Sequence, residues 1–502
     1  MIGPKLQDSY NSPMRVFSFL LLAGHLPAID TAAVDRLLEA SLKTWASPGA
    51  AVAIVENGKI VHVKGYGVRE LGKPDPVTAD SLFEIASTTK AFTALTVAML
   101  ADDGKLAWDD PVRKHYPGFR LLDALANENV TVRDLLCHRT GLPRHDALWY
   151  KTSLSRAEII ERIGAAKPNK QFRQEYQYHN IMFLTAGELV GKVAGASWDE
   201  FVRQRIFAPL GMSRTTTQYA EALKQSDRAV PHRKNKEQVK AFDWVNFDNV
   251  GAAGAINSSA RDLAQWVLLH ANGGEYQGRR LVSLKNLEET YLPQTVIRPT
   301  SASQELNPDT TQNTYALGWN IAHYRGHRIL GHAGVLDGFR ARVTLIPETK
   351  SGIVVLANLG RTDLPESVTN SLVDLLLQLP TKDWDKYLKA VTTKQESEAE
   401  AKRVEKIAQR AKNTKPAKPL LDYAGTYTEP AYGTVVIAEE QGQLLLKWLD
   451  FTAKLEHWHY ETFRANTSTA LQNEDALFTL DATGKPTGLR FLEADFKRTP
   501  KK

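Results

Sequence analysis

Ser87 and Lys90 stand three residues apart in "EIASTTKAFTAL", a stretch otherwise composed like an apolar helix. Positions i and i+3 lie on one helix face, a turn apart, so the lysine amine can reach the serine hydroxyl. A serine hydroxyl is a weak nucleophile and needs a neighbouring base. Lysine can be that base only if burial and nearby positive charge lower its pKa. The start of a helix also offers free N–H groups and partial positive charge to a developing oxyanion. The chemistry on offer is acyl transfer through serine. An N-capping serine followed by a solvated lysine has the same spelling, so this pair decides nothing alone.

Two further stretches carry suitable side chains. "EYQYHNIMFLTAGELV" places Tyr178 and Asn180 just before a helical pattern. They supply a phenol able to share proton traffic and an amide able to hold a substrate carbonyl. A packing tyrosine with a satisfied hydroxyl is the plainer reading. "GHAGVLDGF" sets His332 on a strand, with Ala333 and Gly334 leaving room for a ligand to approach. Its imidazole can donate to an acyl oxygen or assist proton transfer, or be a half-buried structural group.

Other reactive residue types give less. Cys137, in "LLCHRTGLPRH", reads as a small buried residue, since nothing beside it favours a thiolate. As the chain's single cysteine it excludes an internal disulfide and a cysteine zinc cluster. His457 and His459 fall on one face of an alternating strand with no third ligand in view. No metal and no cofactor are expected.

The elements that must position these groups follow from periodicity. "AAVDRLLEASLKTW" has helical spacing, and two β-rich runs then meet at Asn57-Gly58, a hairpin signal. Helical patterns dominate from Leu82 to His270. Strands return with hairpins expected around Arg325-Gly326 and Glu348–Ser351, and the helix "PESVTNSLVDLLLQL" follows. Strands at both ends with helices between them predict an α/β (α+β) fold. One antiparallel sheet is assembled from the two ends, terminal helices pack on it, and the middle forms a helical subdomain. Residues 392–419 are highly charged and apolar-poor, as in an exposed helix and linker. Beyond Leu420 alternating runs with turn signals at Tyr432-Gly433, Gln441-Gly442 and Gly484-Lys485 predict a small antiparallel barrel or sandwich.

Taken together, Ser-x-x-Lys on a helix, Tyr-x-Asn on a loop and His-x-Gly on a strand resemble the serine β-lactamase and penicillin-binding protein superfamily. The likeness is to the branch with class C β-lactamases, D-peptidases and carboxylesterases. "PGAAVAIVENGKIVHVKGYG", "LLCHRTGLPRH" and "GAAGAINSSARDLAQWV" add to it, over about residues 32–380. The C-terminal part, through "YGTVVIAEEQGQLLLKW" and "LEHWHYETFRA", resembles the lipocalin-like domain appended to some serine peptidases of that superfamily. The resemblance implies a β-lactamase/transpeptidase-like sheet and an acyl-enzyme on Ser87, with Lys90 and Tyr178 moving protons. It implies an oxyanion hole from the N–H groups of Ser87 and of Val335, which follows Gly334. Asn180 and His332 would orient the acyl and leaving groups.

One departure bears on substrate. The penicillin-recognising enzymes carry Lys-Thr-Gly or Lys-Ser-Gly where this chain has His332-Ala333-Gly334. A lysine ammonium suits a substrate carboxylate, whereas histidine is largely neutral at pH 7. The expectation is therefore an esterase, amide hydrolase or D-amino-acid peptidase, ahead of a β-lactamase or DD-carboxypeptidase. The missing Ser-Asp-Asn motif argues against the class A branch. Two other readings stay open: a non-catalytic penicillin-binding sensor, and an assembling chain whose C-terminal domain covers its own or a neighbour's active site. Glu84 and Asp337 lie near the site pieces and read as ordinary carboxylates.

Bulk composition is that of an ordinary soluble globular protein: 502 residues, 43% hydrophobic and 24% charged. The net charge of +6 is scattered, which suits solubility and not a nucleic-acid partner. A small-molecule ester or peptide is the expected partner, with homo-oligomerisation left open. No run reaches the ~18 apolar residues of a transmembrane segment. "MRVFSFLLLAGHLPA", at 14–28, is a weak signal-peptide candidate, so export or a periplasmic location is expected; the alternative is a buried or disordered arm on a cytoplasmic protein. The organisation expected is a leader or arm to residue 30, a hydrolase domain over 31–385, a charged helical linker over 386–419 and a barrel over 420–502.

Overall fold

The computed structural model describes residues 29–235, 238–467 and 470–500, so the leader candidate lies outside the described residues. Helix α1 (Thr31–Trp45) is capped by Asp30, whose carboxylate accepts from the Ala32 N–H. Strands β1 (Gly49–Glu56) and β2 (Lys59–Gly67) are joined by Asn57 and Gly58, both at positive φ (50° and 71°). That pair of angles is what the tight turn matching strand twist demands, and Asn-Gly reaches it readily. The helical middle follows with α2 (Thr89–Asp102), α3 (Asn180–Ala194) and α4 (Ala260–Ala271) as its principal members.

The chain then returns to strand: β3 (Thr295–Val296), β4 (Thr310–Tyr315), β5 (Asn320–Tyr324), β6 (His327–Leu336), β7 (Phe339–Ile346) and β8 (Ser351–Ala357). Among the described residues these form one antiparallel eight-stranded sheet of order β2-β1-β8-β7-β6-β5-β4-β3. The two ends of the sheet-forming chain meet where Ala50–Val55 pair with Gly352–Ala357. Both expected hairpins are present, at Arg325-Gly326 and at Lys350.

Strand β1 is buried along its whole length because both faces are covered. Ala50, Val52 and Ile54 face α1 and the terminal helix α5 (Leu364–Leu376), while Ala51, Ala53 and Val55 face the larger core of the helical middle. That split is the period-two alternation of a strand serving two cores. Helix α2 is buried on all sides from Thr89 to Leu100, as an apolar helix at the centre of a domain must be. Phe92 stacks on Trp266 of α4 at 3.7 Å between ring centroids.

The charged segment forms α6 (Trp384–Ala408). Its start is built into the sheet unit. Trp384 and Leu388 are buried, and the Asp385 carboxylate accepts from Ser41 Oγ, Trp45 Nε1 and Ser367 Oγ at 2.6–2.7 Å. Beyond it, β9 (Gly425–Glu429), β10 (Gly433–Glu440), β11 (Gln443–Trp448), β12 (Phe451–His459), β13 (Thr462–Asn466), β14 (Asp475–Leu480), β15 (Pro486–Phe491) and β16 (Ala494–Arg498) close into an antiparallel barrel. A bulge between His457 and His459 breaks the alternation that placed them on one face. Among the described residues no helix is long and apolar enough to cross a membrane.

Candidate active site

Ser87 sits at the entry of α2, in a single 3-10 turn (Ala86–Thr88), and not inside the α-helix its sequence continues. Ala86, just before it, is held left-handed at φ 49°. That conformation costs a non-glycine residue roughly 1–2 kcal/mol and persists where surrounding structure enforces it. Here Ile85 is tied on both sides: its N–H donates to Ile256 O at 3.0 Å, and its carbonyl accepts from the Thr88 N–H at 3.2 Å. Ser87 is half-buried and opens into a cavity of about 1050 Å³.

Lys90 is fully buried beneath it. Its Nζ lies 3.1 Å from Ser87 Oγ, 2.8 Å from Asn180 Oδ1 and 2.8 Å from Ala253 O. Burial pushes its pKa well below the usual lysine value; the Arg144 charge adds to that, and Asp146 opposes it. A neutral amine has two N–H donors and one lone pair. Asn180 Oδ1 and Ala253 O can only accept, so they take both donors, and the lone pair is left for the Ser87 hydroxyl. The amide orientation is fixed independently: Asn180 Nδ2 donates to Asp146 Oδ1 at 3.0 Å.

Tyr178 has the opposite perturbation. Burial pushes its pKa up, while its hydrogen bond with Ser87 and the charge of Arg144 pull the other way. It therefore stays a neutral phenol. Lys90 Nζ is 4.8 Å from its ring centroid and the Arg144 guanidinium 4.9 Å. Titratable neighbours pushed apart in this way can share acid and base work: an amine with a free lone pair stands beside a phenol that keeps its proton.

His332 is buried and its pKa is lowered to about 3, mainly by burial, with Lys90 contributing. Its Nδ1 lies 2.7 Å from the Ala333 carbonyl, which can only accept, so Nδ1 carries the proton. Nε2 then accepts from the Tyr315 hydroxyl at 3.0 Å. Both nitrogens are engaged by protein. Gly334 has a different part. A β-carbon there would stand 2.2 Å from Ile85 O, so only glycine lets β6 approach the turn that carries the serine. Strand β5 pairs with β6 only as far as Gly331, whereas β7 follows it to Leu336. From His332 onward the other edge of β6 has no strand partner among the described residues. Val335, on that edge, is 56% exposed and lines the cavity.

The structure thus brings Ser87, Lys90, Tyr178, Asn180, His332, Gly334 and Val335 into one region. Several of its other members were not singled out in the sequence. Arg144 and Asp146 bond each other at 2.6 Å, and Trp149 Nε1 donates to Asp146 at 2.7 Å. His138 and His179 are buried beside Tyr178, with the His179 N–H donating to His138 Nδ1 at 3.0 Å. The backbone carbonyl of Ala253 carries no sequence signal at all. Glu84 is buried and its carboxyl is pushed well above the usual range, by burial first and then by Asp337. Asp337 is bonded to Tyr150 and Lys151. Cys137 is buried, and its thiol is pushed up to about 12 by desolvation, which makes it inert.

The barrel of the same chain reaches this cavity. Trp448, Phe451 and Leu492 line it. The barrel is fixed there by Tyr432 OH to His145 Nδ1 at 2.9 Å, and by Ser153 N–H and Oγ donating to the Asp450 carboxylate at 2.6 and 2.8 Å.

This sheet and site define a β-lactamase-fold serine hydrolase. The chain belongs to the beta-lactamase family, whose model matches residues 34–378. Residues 409–501 match a domain of unknown function, DUF3471. The unguisins hydrolase of Aspergillus campestris (strain IBT 28561) is 29% identical over 431 residues, covering 82% of this chain and 78% of that protein. The octameric penicillin-binding protein homologue from Pyrococcus abyssi superposes with a TM-score of 0.60 at 22% identity, over 93% of this chain and 100% of that one. The D-amino acid amidase from Ochrobactrum anthropi SV3 superposes with a TM-score of 0.58 at 24% identity, over 69% of this chain and 97% of that one.

Proposed function

We propose that this protein hydrolyses small amides or peptides, with D-amino-acid amides the first class to test, through an acyl-enzyme on Ser87. The observation that carries this reading is the buried Lys90 amine, 3.1 Å from Ser87 Oγ, with both of its donors committed elsewhere. Ser87 Oγ bonds to the substrate carbonyl carbon as its proton passes to Lys90 Nζ. The oxyanion is met by the N–H groups of Ser87 and Val335. When the C–N bond breaks, the proton moves by way of Tyr178 to the leaving nitrogen. Water then cleaves the acyl-enzyme by the reverse path. Similarity to a named hydrolase and a named D-amino acid amidase supports an amide over an ester.

A second reading is hydrolysis of substrates bearing a free carboxylate, β-lactams and D-alanyl peptides among them. Arg340 favours it. This guanidinium lines the cavity, donates only to the carbonyls of Leu336 and Phe339, and meets no carboxylate within ion-pair distance among the described residues. Neutral His332 supplies no such charge.

The deciding assay compares D-phenylalanine amide, its L enantiomer, a short activated ester and a chromogenic cephalosporin, with Ser87→Ala as background. Serine-dependent cleavage of the D-amide with little cephalosporin turnover supports the first reading. Cephalosporin turnover as fast as the amide replaces it with the second, and a burst without turnover makes the protein a sensor.

A further inference from the structure

We propose that the C-terminal barrel supplies an apolar subsite of the catalytic cavity, so that substrates carrying a large apolar side chain are selected. This rests on the reading of Ser87 as nucleophile. The cavity that exposes Ser87 is lined on one side by the barrel, through two hairpin tips and the segment carrying Leu471 and Glu474. In the tip between β11 and β12, Trp448 and Phe451 are register partners with stacked rings, 5.9 Å between centroids. In the tip between β15 and β16, Leu492 turns at φ 51°. All three line the cavity.

The first of these tips is held in place before any substrate arrives. Asp450, inside the first tip, accepts two hydrogen bonds from Ser153. Trp448 Nε1 donates to Tyr432 O at 2.9 Å, and Tyr432 in turn bonds His145. The indole's polar atom is therefore satisfied within the barrel, and what Trp448 can offer the cavity is hydrocarbon. Val335, on the edge of β6 that has no strand partner among the described residues, shows an exposed apolar side chain and lines the same cavity. A cavity with a polar reacting end and an apolar wall fixes a ligand's orientation and its size together. The wall's chemistry, apolar side chains with the Glu474 carboxyl among them, fits an aromatic or branched aliphatic group on an amide.

The test uses the full chain and two amides, D-phenylalanine amide and D-alanine amide. Wild type is expected to prefer the phenylalanine amide, and Phe451→Ser is expected to cut that ratio of kcat/KM about tenfold, the scale of apolar-pocket discrimination, mostly through KM. Leu492→Asn is the companion variant, since asparagine accepts the left-handed turn and keeps the fold while removing the apolar surface. Binding of both amides to Ser87→Ala protein by calorimetry reads the same discrimination without turnover. A failure of the Ser87 reading shows as full activity in Ser87→Ala and leaves the ratios measurable. No preference in wild type, or an unchanged ratio in folded Phe451→Ser and Leu492→Asn, overturns the subsite.

Discussion

Lys90 Nζ donates to Asn180 Oδ1 at 2.8 Å, joining residues ninety positions apart at the first turns of two helices. Asn180 Nδ2 in turn donates to Asp146, whose carboxylate also accepts from Arg144 Nε. Asn180 thereby does more than line the cavity. It consumes one donor of the amine and so aims the lone pair at Ser87. Arg144 and Asp146 stand at the far end of this relay with opposite charges, and both act on the same lysine.

Removing either half of the central pair is expected to abolish turnover. Ser87→Ala and Lys90→Ala should each lower kcat/KM by about a thousandfold or more, and the double variant little further, because the two act as a unit. Steady-state kinetics with thermal unfolding as a fold control checks this. Near wild-type rates in either folded single variant sink the assignment of both residues.

The relay also predicts two pH shifts of opposite sign. With Lys90 as the proposed base, kcat/KM is expected to rise as pH passes upward through its folded pKa, which lies well below the usual lysine value. Arg144 lowers that pKa, so Arg144→Ala should move the acid limb to higher pH. Asp146 raises it, so Asp146→Asn should move the limb to lower pH, with some loss of kcat from a loosened Asn180. A pH series of kcat/KM on all three proteins reads both shifts. Equal displacement in one direction would mean that the two residues only pack.

What the sequence made legible was local, or followed from element order. Asn57-Gly58, Arg325-Gly326 and Gln441-Gly442 all form turns with both residues at positive φ, because the dipeptide carries its own preference. The sheet built from both chain ends followed from strands flanking a helical middle. Ser-x-x-Lys spacing put the amine within reach of the hydroxyl, since one helical turn fixes that distance. Arg144 and Asp146 were not legible, because a loop has no period to place it against a helix start. Nor did periodicity show the 3-10 turn at Ser87, where tertiary ties to Ile85 override a sequence that reads as continuous helix. For the same reason the barrel's place beside Ser87 was left open: docking rests on single contacts such as His145 to Tyr432.

Gly334 offers a purely steric test. A β-carbon at 2.2 Å from Ile85 O meets backbone that cannot rotate away, so Gly334→Ala must push β6 from the nucleophile's turn. Overpacking of this kind costs about 1–3 kcal/mol, and the displacement spoils the spacing between Ser87 and Val335. The expected outcome is a folded protein with a modestly lowered Tm and a kcat reduced by about a hundredfold, the scale of losing one oxyanion donor. A kcat near wild type would show that the approach of β6 is unimportant to the chemistry.

Glu84 tests the electrostatics through stability instead of rate. Its folded pKa lies above the ordinary glutamate value because burial, and then Asp337, disfavours the carboxylate. Between the unfolded and folded pKa values the native protein holds a proton that the unfolded chain has released. Stability therefore falls as pH rises through that window, beginning near the usual glutamate pKa of about 4.3. Glutamine has the shape of the protonated acid and no proton to lose. Glu84→Gln should match wild type in urea unfolding at the acid end and exceed it at neutral pH, with the gap growing as pH rises. The difference between the two proteins isolates Glu84 together with its coupling to Asp337, since the remaining titrations are common to both. A gap that is constant with pH would mean that Glu84 ionises no differently in the folded and unfolded chain.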